Sequence, residues 1–517
     1  MTVAPDRPQR AEPPILLGLD IGSGSVRALA FDARGRLLAL GSTETPTVRP
    51  QRGWAEFPAD ALWEAVTVAV RACLADLPER DGITGIGVAS VGESCFPIDA
   101  EGREADAAIA WYDERTRETL EWLEAEVGGD WLAGITGLTP DLSFGLCKVL
   151  WVRRHRPEVF RSARRWLHVA DWAGWRLTGA MLTDPSLAAR TLAFDIRRRD
   201  WSQAILDAVG LPHDLYAPIA ANGTALGTVQ PAVAAALGLP PGVTVGVGGH
   251  DHVMGSVAAG AGAEGIVIDS MGTAEIMMFT AEAPVFDPRF FARGYAQGGV
   301  DPGRPLVYVL GAAYTIGGAV EWARRAVFGG ADHAGIIARA EAAAPGAGGV
   351  LFVPHMRNSA MPNPDPAARG AFVGLSADTT DGDLARAVYE GAAFEIRNVV
   401  EGLADIPDVP PLGEIRAIGG GARNELLLRI KASCHNRPIR AAEMAEGTAL
   451  GAALMGAVAA GVHPTALAAA AAIAPELGWR TVEPEPDWVP VYEDRFRNAY
   501  VHAYGALRTI RTGGMRA

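Results

Sequence analysis

Cysteine is scarce in this 517-residue chain: Cys73, Cys95, Cys147 and Cys434 stand far apart, with no Cys-x-x-Cys pair and no close histidine partners. That argues against a disulfide framework and a zinc site, and makes a reducing cytoplasm the expected location. Long apolar runs are missing too. The longest, Ala449–Val462, is rich in alanine and glycine and falls short of the roughly 18 residues a membrane-spanning helix needs. Met1–Pro14 lacks the apolar stretch of about 7–15 residues that marks a secretory signal, and reads as a frayed leader. Positive charge is in deficit: 46 Lys and Arg face 60 Asp and Glu, a net charge of −14 that opposes general attraction to nucleic acid or anionic lipid. A small molecule is the expected partner. No Gly-x-x-x-x-Gly-Lys-Ser/Thr phosphate loop occurs, and Arg27 stands where a dinucleotide fingerprint starting at Gly22 would need its third glycine.

What remains is ordinary globular material, 49% hydrophobic and 21% charged, which excludes disorder as the main state. At about 100–200 residues per domain the length predicts two to four domains. The run Ile15–Asp20, the turn Ile21–Ser25, the run Val26–Phe31 and the segment Arg36–Leu40 predict an antiparallel opening of three strands. Leu62, Val66, Val70 and Leu74 recur every fourth position and predict an amphipathic helix within Ala59–Leu77, followed by a strand at Ile83–Ala89. This order argues for a mixed sheet covered by helices. The plan recurs later: Gly265–Asp269 is a strand ending in Asp, Ser270–Thr273 a small-residue turn, and Ile276–Phe279 a return strand. Two similar domains are therefore expected, 12–248 and 249–510.

Asp20-Ile21-Gly22-Ser23-Gly24-Ser25 can wrap a phosphate with successive main-chain N–H groups, and Asp20 can hold Mg²⁺ through water. An ordinary β-hairpin turn accounts for the same residues. The second turn, Asp269–Thr273, strengthens the phosphate interpretation, since two hairpins can share one polyphosphate. Gly419-Gly420-Gly421-Ala422-Arg423-Asn424 follows a strand at Ile415–Ile418 and opens a helix at Glu425–Cys434, so its bare backbone can approach a base or phosphate, or serve only tight packing. In Gly248-Gly249-His250-Asp251-His252, Asp251 is a candidate general base; a metal site at the two histidines lacks further ligands.

In this order, these residues resemble the FGGY family of carbohydrate kinases, within the actin/Hsp70/sugar-kinase fold. Further segments agree: Gly53–Pro58 with Trp63, Ala110-Trp111-Tyr112-Asp113-Glu114-Arg115-Thr116, Leu177–Gly179, Thr183–Ser186 with Trp201, Gly317–Trp322 and Ala449–Ala453. The resemblance implies an α/β fold of two similar actin-like (ribonuclease H-like) domains, each with a mixed five-stranded sheet flanked by helices, and an active site in the interdomain cleft. It implies transfer of the ATP γ-phosphate to a sugar or polyol hydroxyl, with Asp251 as general base and Asp20 on the Mg²⁺ side. Gly22, Ser23, Gly24, Ser25, Arg27, Gly272 and Thr273 would surround the phosphates, and Gly317, Glu321, Gly420, Gly421 and Asn424 would lie along the nucleotide. A homodimer follows from the same analogy.

For the acceptor, Val91-Gly92-Glu93-Ser94 stands where xylulose kinases carry Gln-Met-His-Gly and glycerol kinases Gln-Arg-Glu-Thr. Glu93 matches a hydroxyl-binding glutamate, whereas Gly92 lacks the arginine and leaves room for a longer or differently oriented substrate. Trp111 would face the carbon skeleton, with Asp113, Arg115 and His252 as polar neighbours. Gly24 replaces a common threonine, which removes a hydroxyl contact but not the backbone cradle. A ketose such as a pentulose or tetrulose, or a polyol, is the expected acceptor. The alternatives are a xylulose- or glycerol-kinase-like enzyme specifically, a catalytically silent sugar- and ATP-binding regulator, and a chaperone or actin-like protein on the same fold. The last has no use for Trp111, Asp113, Arg115 and Asp251.

Overall fold

The computed structural model describes residues 14–77, 79–272, 274–313, 316–359, 361–442, 444 and 446–513. The chain forms two compact units. The first runs to Gly260 and takes back Gly298–Leu306 and Glu446–Glu476; the second holds Ala261–Gln297, Val307–Ala445 and the segment from Leu477. The sequence places the division at 248/249 and does not show the two returning segments.

In the first unit, β1 (Ile15–Ile21), β2 (Ser25–Phe31) and β3 (Leu37–Glu44) form an antiparallel meander. β4 (Ile83–Ser90) lies parallel to β1, β6 (Thr244–His250) parallel to β4, and β5 (Ala225–Thr228) antiparallel to β6, giving the order β5-β6-β4-β1-β2-β3. β1 is apolar on both faces because it is central; β3 alternates buried and exposed as an edge should. Leu17 and Leu19 meet Leu62, Val66 and Val70 of the helix Ala59–Ala75 in one core.

The opposite face is bare. Cβ atoms built on Gly18 and Gly87 would lie 1.8 Å from the carbonyl oxygens of Ala449 and Ala452, and those on Gly85 and Gly246 2.3 Å from those of Gly456 and Met455. This glycine stripe seats the helix Gly447–Ala459 directly on the strands and explains why a late segment returns to the first unit. Gly87→Ala is accordingly expected to lower stability by about 3 kcal/mol, the upper end of ordinary overpacking costs, as read by the urea midpoint.

In the second sheet, β7 (Val267–Met271) and β8 (Glu275–Ala281) form the recurring hairpin, β9 (Ala296–Val300) and β10 (Leu306–Ala313) extend it beyond β8, and β11 (Ile415–Ile418) lies parallel to β7 as β4 does to β1. β12 (Ile439–Ala441) and β13 (Arg480–Val482) complete the order β9-β10-β8-β7-β11-β12-β13. Tyr389 and Phe394 of the helix Asp381–Glu401 pack with Phe352, Tyr492 and Phe496 in its core. The sheets hold six and seven strands among the described residues, where the family resemblance implies five each. The excess includes short antiparallel edges, such as β5 on β6 and β13 on β12. No described helix is long and apolar enough to cross a membrane.

Candidate active site

The β1–β2 turn is closed by Gly22 N–H donating to the Ser25 carbonyl at 3.0 Å and braced by the Thr45 hydroxyl on the Gly22 carbonyl at 2.7 Å. A side chain at Gly24 would meet nothing within 4 Å, so the turn's tip is open. Arg27, opposite Asp20 in the hairpin register, donates to Ser25 Oγ at 3.1 Å and to Glu446 at 2.9 Å. Burial and then the charge of Asp251, with Glu446 adding to them, outweigh Arg27 and push the Asp20 carboxyl up to about 7. Asp20 and Glu446 thus share the Arg27 guanidinium.

Asp251 is the first residue of the helix Asp251–Ala258, where the free N–H groups favour an anion. Its Oδ1 accepts from the His252 N–H at 2.6 Å. Burial works against ionisation, yet the histidines, that N–H and Arg190 together hold its carboxyl below the usual carboxylate range. Burial pushes the His250 imidazole down to about 4, so near pH 7 this ring is neutral. His252 is half-exposed, with Nε2 4.0 Å from Asp251. The strand leading into the base is pinned by Asp184 and Ser186: Ser186 Oγ accepts the His250 N–H at 2.9 Å, and Asn222 bridges Asp184 to the Gly248 carbonyl at 2.8 and 2.6 Å.

Trp111 is exposed over 41% of its surface and donates its indole N–H to Ser23 Oγ at 2.7 Å, which ties the expected acceptor segment to the phosphate turn. Asp113 and Arg115 are different. Both are buried: Asp113 accepts from the Ala55 N–H at 2.6 Å and from the Arg115 guanidinium at 2.9 and 2.8 Å, and Arg115 also pairs with Glu56 at 2.6 Å under the Trp54 ring at 3.9 Å. The polar contacts to substrate that the sequence assigns them are thus taken by protein groups, and the pair braces the loop that carries Trp111. Gly92 likewise leaves no room: a Cβ there would lie 2.7 Å from His250 and 3.1 Å from Arg190, so side chains fill the expected space. Arg190 donates to Glu93 at 2.6 Å, a partnership the sequence does not reveal because the residues are distant along the chain.

In the second unit, Gly272 N–H donates to the Ala274 carbonyl at 3.2 Å; Thr273 lies outside the described residues. A Cβ on Gly421 would meet Met271 at 2.8 Å, so the Gly419–Gly421 turn sits on the end of β7, while Gly420 faces open space. Asn424 is engaged in capping: its Oδ1 accepts the Leu427 N–H at 3.1 Å at the start of the helix Glu425–His435. Gly317 lies in the helix Ile316–Ala326, where Glu321 pairs with Arg324 at 2.8 Å.

The sequence profile of the N-terminal domain of the FGGY family of carbohydrate kinases matches residues 15–258, and that of its C-terminal domain matches residues 268–460. The chain belongs to this family. It is a carbohydrate kinase, and hence a phosphotransferase. A glycerol kinase of Gloeobacter violaceus is 31% identical over 451 residues, spanning 85% of this chain and 86% of that protein. A xylulose kinase of Staphylococcus xylosus is 26% identical over 447 residues, 86% of this chain and 90% of that protein. The crystal structure of a xyloylose kinase from Brucella ovis superposes with a TM-score of 0.86 at 27% identity, covering 96% of this chain and 100% of that one. These likenesses bear out the two-unit α/β architecture expected of the family.

Proposed function

We propose that the protein transfers the γ-phosphate of ATP to a hydroxyl of a small ketose or polyol, with Asp251 as general base. The observation that carries this is the pairing of opposite states: Asp251 is held anionic at a helix N-terminus, while burial and then Asp251's charge push Asp20 on the adjoining phosphate turn towards protonation. A carboxylate so held can accept the proton of an attacking hydroxyl as phosphoryl transfer proceeds. The β1–β2 turn and the Ser270–Gly272 turn would each offer main-chain N–H groups to phosphate oxygens, with Arg27 on the first. The Gly419–Gly421 turn would receive the adenosine.

Oxygen donors carrying excess negative charge suit a hydrated magnesium ion, and the Asp20, Asp251 and Glu446 cluster fits one. Among the described residues no three acidic, imidazole or thiol groups converge to cage a bare ion. When bound, magnesium would neutralise phosphate charge; the protein's own part is to orient the hydroxyl and remove its proton. Cytoplasmic residence and a homodimer belong to the same proposal, and sedimentation checks the latter.

The test is ATP turnover with and without a panel of glycerol, erythritol, tetruloses, pentuloses, pentitols and hexuloses. ADP release is expected to require an acceptor; acceptor-independent release would make the protein an ATPase instead. Trp111→Ala removes the apolar ring and the link to Ser23, and is expected to raise the acceptor KM about tenfold with the ATP KM little changed.

A further inference from the structure

One short element controls two features of the site. The helix Pro185–Ala189, capped by Asp184, holds the His250 N–H through Ser186, and so the strand end that presents Asp251. The next residue is Arg190. Its Nε donates to Glu93 Oε1 at 2.6 Å, its Nη2 reaches the same oxygen, and its guanidinium lies 4.8 Å from the Phe144 ring centroid. Glu93 is fixed from behind as well: its φ is 55°, a left-handed conformation unusual for a side-chain-bearing residue, and its carbonyl accepts from buried Lys148 at 3.0 Å. Both arginine contacts fall on Oε1, and among the described residues Oε2 has no hydrogen-bond partner. Arg190 reaches this position because residue 92 has no side chain: a Cβ there would lie 3.1 Å from Arg190 Cγ and 2.7 Å from the His250 ring.

We propose that Arg190 is the positioning residue of the acceptor site: admitted by Gly92, it clamps Glu93 through one carboxylate oxygen and leaves the other for an acceptor hydroxyl. This rests on the kinase function proposed above. The clamp also defines the substrate class. A sugar acid needs an accessible unpaired cation to receive its carboxylate, but Arg190 is balanced by Glu93, Arg27 is shared with Glu446, and Lys148 is buried against the Glu93 carbonyl. Asp251 adds further negative charge. On this proposal the acceptor is a neutral polyhydroxyl compound rather than an aldonate.

The experiment pairs kinetics with stability in the full-length protein. Neutral ketoses and polyols are compared with aldonates for wild type, Arg190→Ala, Arg190→Lys and Gly92→Ala. Arg190→Ala is expected to raise the acceptor KM at least tenfold with the ATP KM within about twofold, Arg190→Lys to recover part of the loss, and Gly92→Ala to resemble Arg190→Ala. Thermal unfolding of Arg190→Ala, Glu93→Ala and the double variant forms a cycle that does not depend on turnover. The Tm loss from Arg190→Ala is expected to shrink by at least half once Glu93 is absent. An unchanged acceptor KM in Arg190→Ala, strictly additive Tm losses, or an aldonate preferred by wild type would each overturn the proposal. If no acceptor supports turnover, the kinase function fails, while the cycle still decides whether the clamp exists.

Discussion

Asp251→Asn is expected to lower kcat by about 10²–10⁴-fold, the range for loss of a general base, while the protein stays folded and ATP still raises its Tm. Asparagine keeps the shape and an oxygen for the His252 N–H, now 2.6 Å from Oδ1, so the helix start survives. What disappears is the negative charge. The hydroxyl proton then has no acceptor: His250 is buried and its Nδ1 lies 3.4 Å from Asp251, and His252 stands farther away. The same change removes a charge that raises Asp20, so the Asp20 carboxyl should titrate lower in the variant. Steady-state kinetics beside circular dichroism would read both parts. Near-normal turnover would remove Asp251 from the mechanism.

A second large effect is expected at Lys431, which is fully buried on the helix Glu425–His435. Its ammonium lies 2.6 Å from Asp269 and also contacts Glu275, the residues at the middle of β7 and the start of β8. Lys431→Met leaves two carboxylates buried without a cation, and stability should fall by about 3–5 kcal/mol. Because the hairpin carries Ser270–Gly272, ATP affinity should fall with it. The cluster also sets a pH dependence. Burial and then Asp269 raise Glu275 to about 8 against the pull of Lys431. The folded protein holds this proton more tightly than the unfolded chain, so the contribution is complete below pH 4.5 and is lost as pH rises through about 8. Urea midpoints of wild type at pH 6 and 9, and of Lys431→Met at pH 7, check both statements. A variant within about 0.5 kcal/mol of wild type, an ordinary surface effect, would contradict the first.

The local elements were legible because they rest on short-range patterns. Ile415–Ile418 is a strand with the bounds its apolar run gives, and the two hairpins stand where Gly/Ser turns separate apolar runs. Chemistry that depends on distant partners was not. Asp20 and Asp269 look equivalent in sequence, but Asp269 is neutralised by Lys431, a helix residue nothing in the strand announces. Arg115 looks like a polar contact for the acceptor beside Trp111 until Glu56, Asp113 and Trp54 close over it. Gly92 reads as empty space, and only its position against His250 and Arg190 shows the space to be occupied. The return of Gly447–Ala459 to the first unit follows from Gly18, Gly85, Gly87 and Gly246 sharing one face, which needs the strand register.

The most direct test of the central claim follows the phosphorus itself. Phosphorus-31 NMR of the purified protein with Mg-ATP and each neutral acceptor is expected to show the γ-phosphate signal decay as a phosphate ester grows in equal amount, for at least one ketose or polyol. The ester should fail to appear with Asp251→Asn. If the γ-phosphate passes only into inorganic phosphate, at a rate indifferent to the acceptor and to Asp251, transfer to a sugar hydroxyl is not what this protein does.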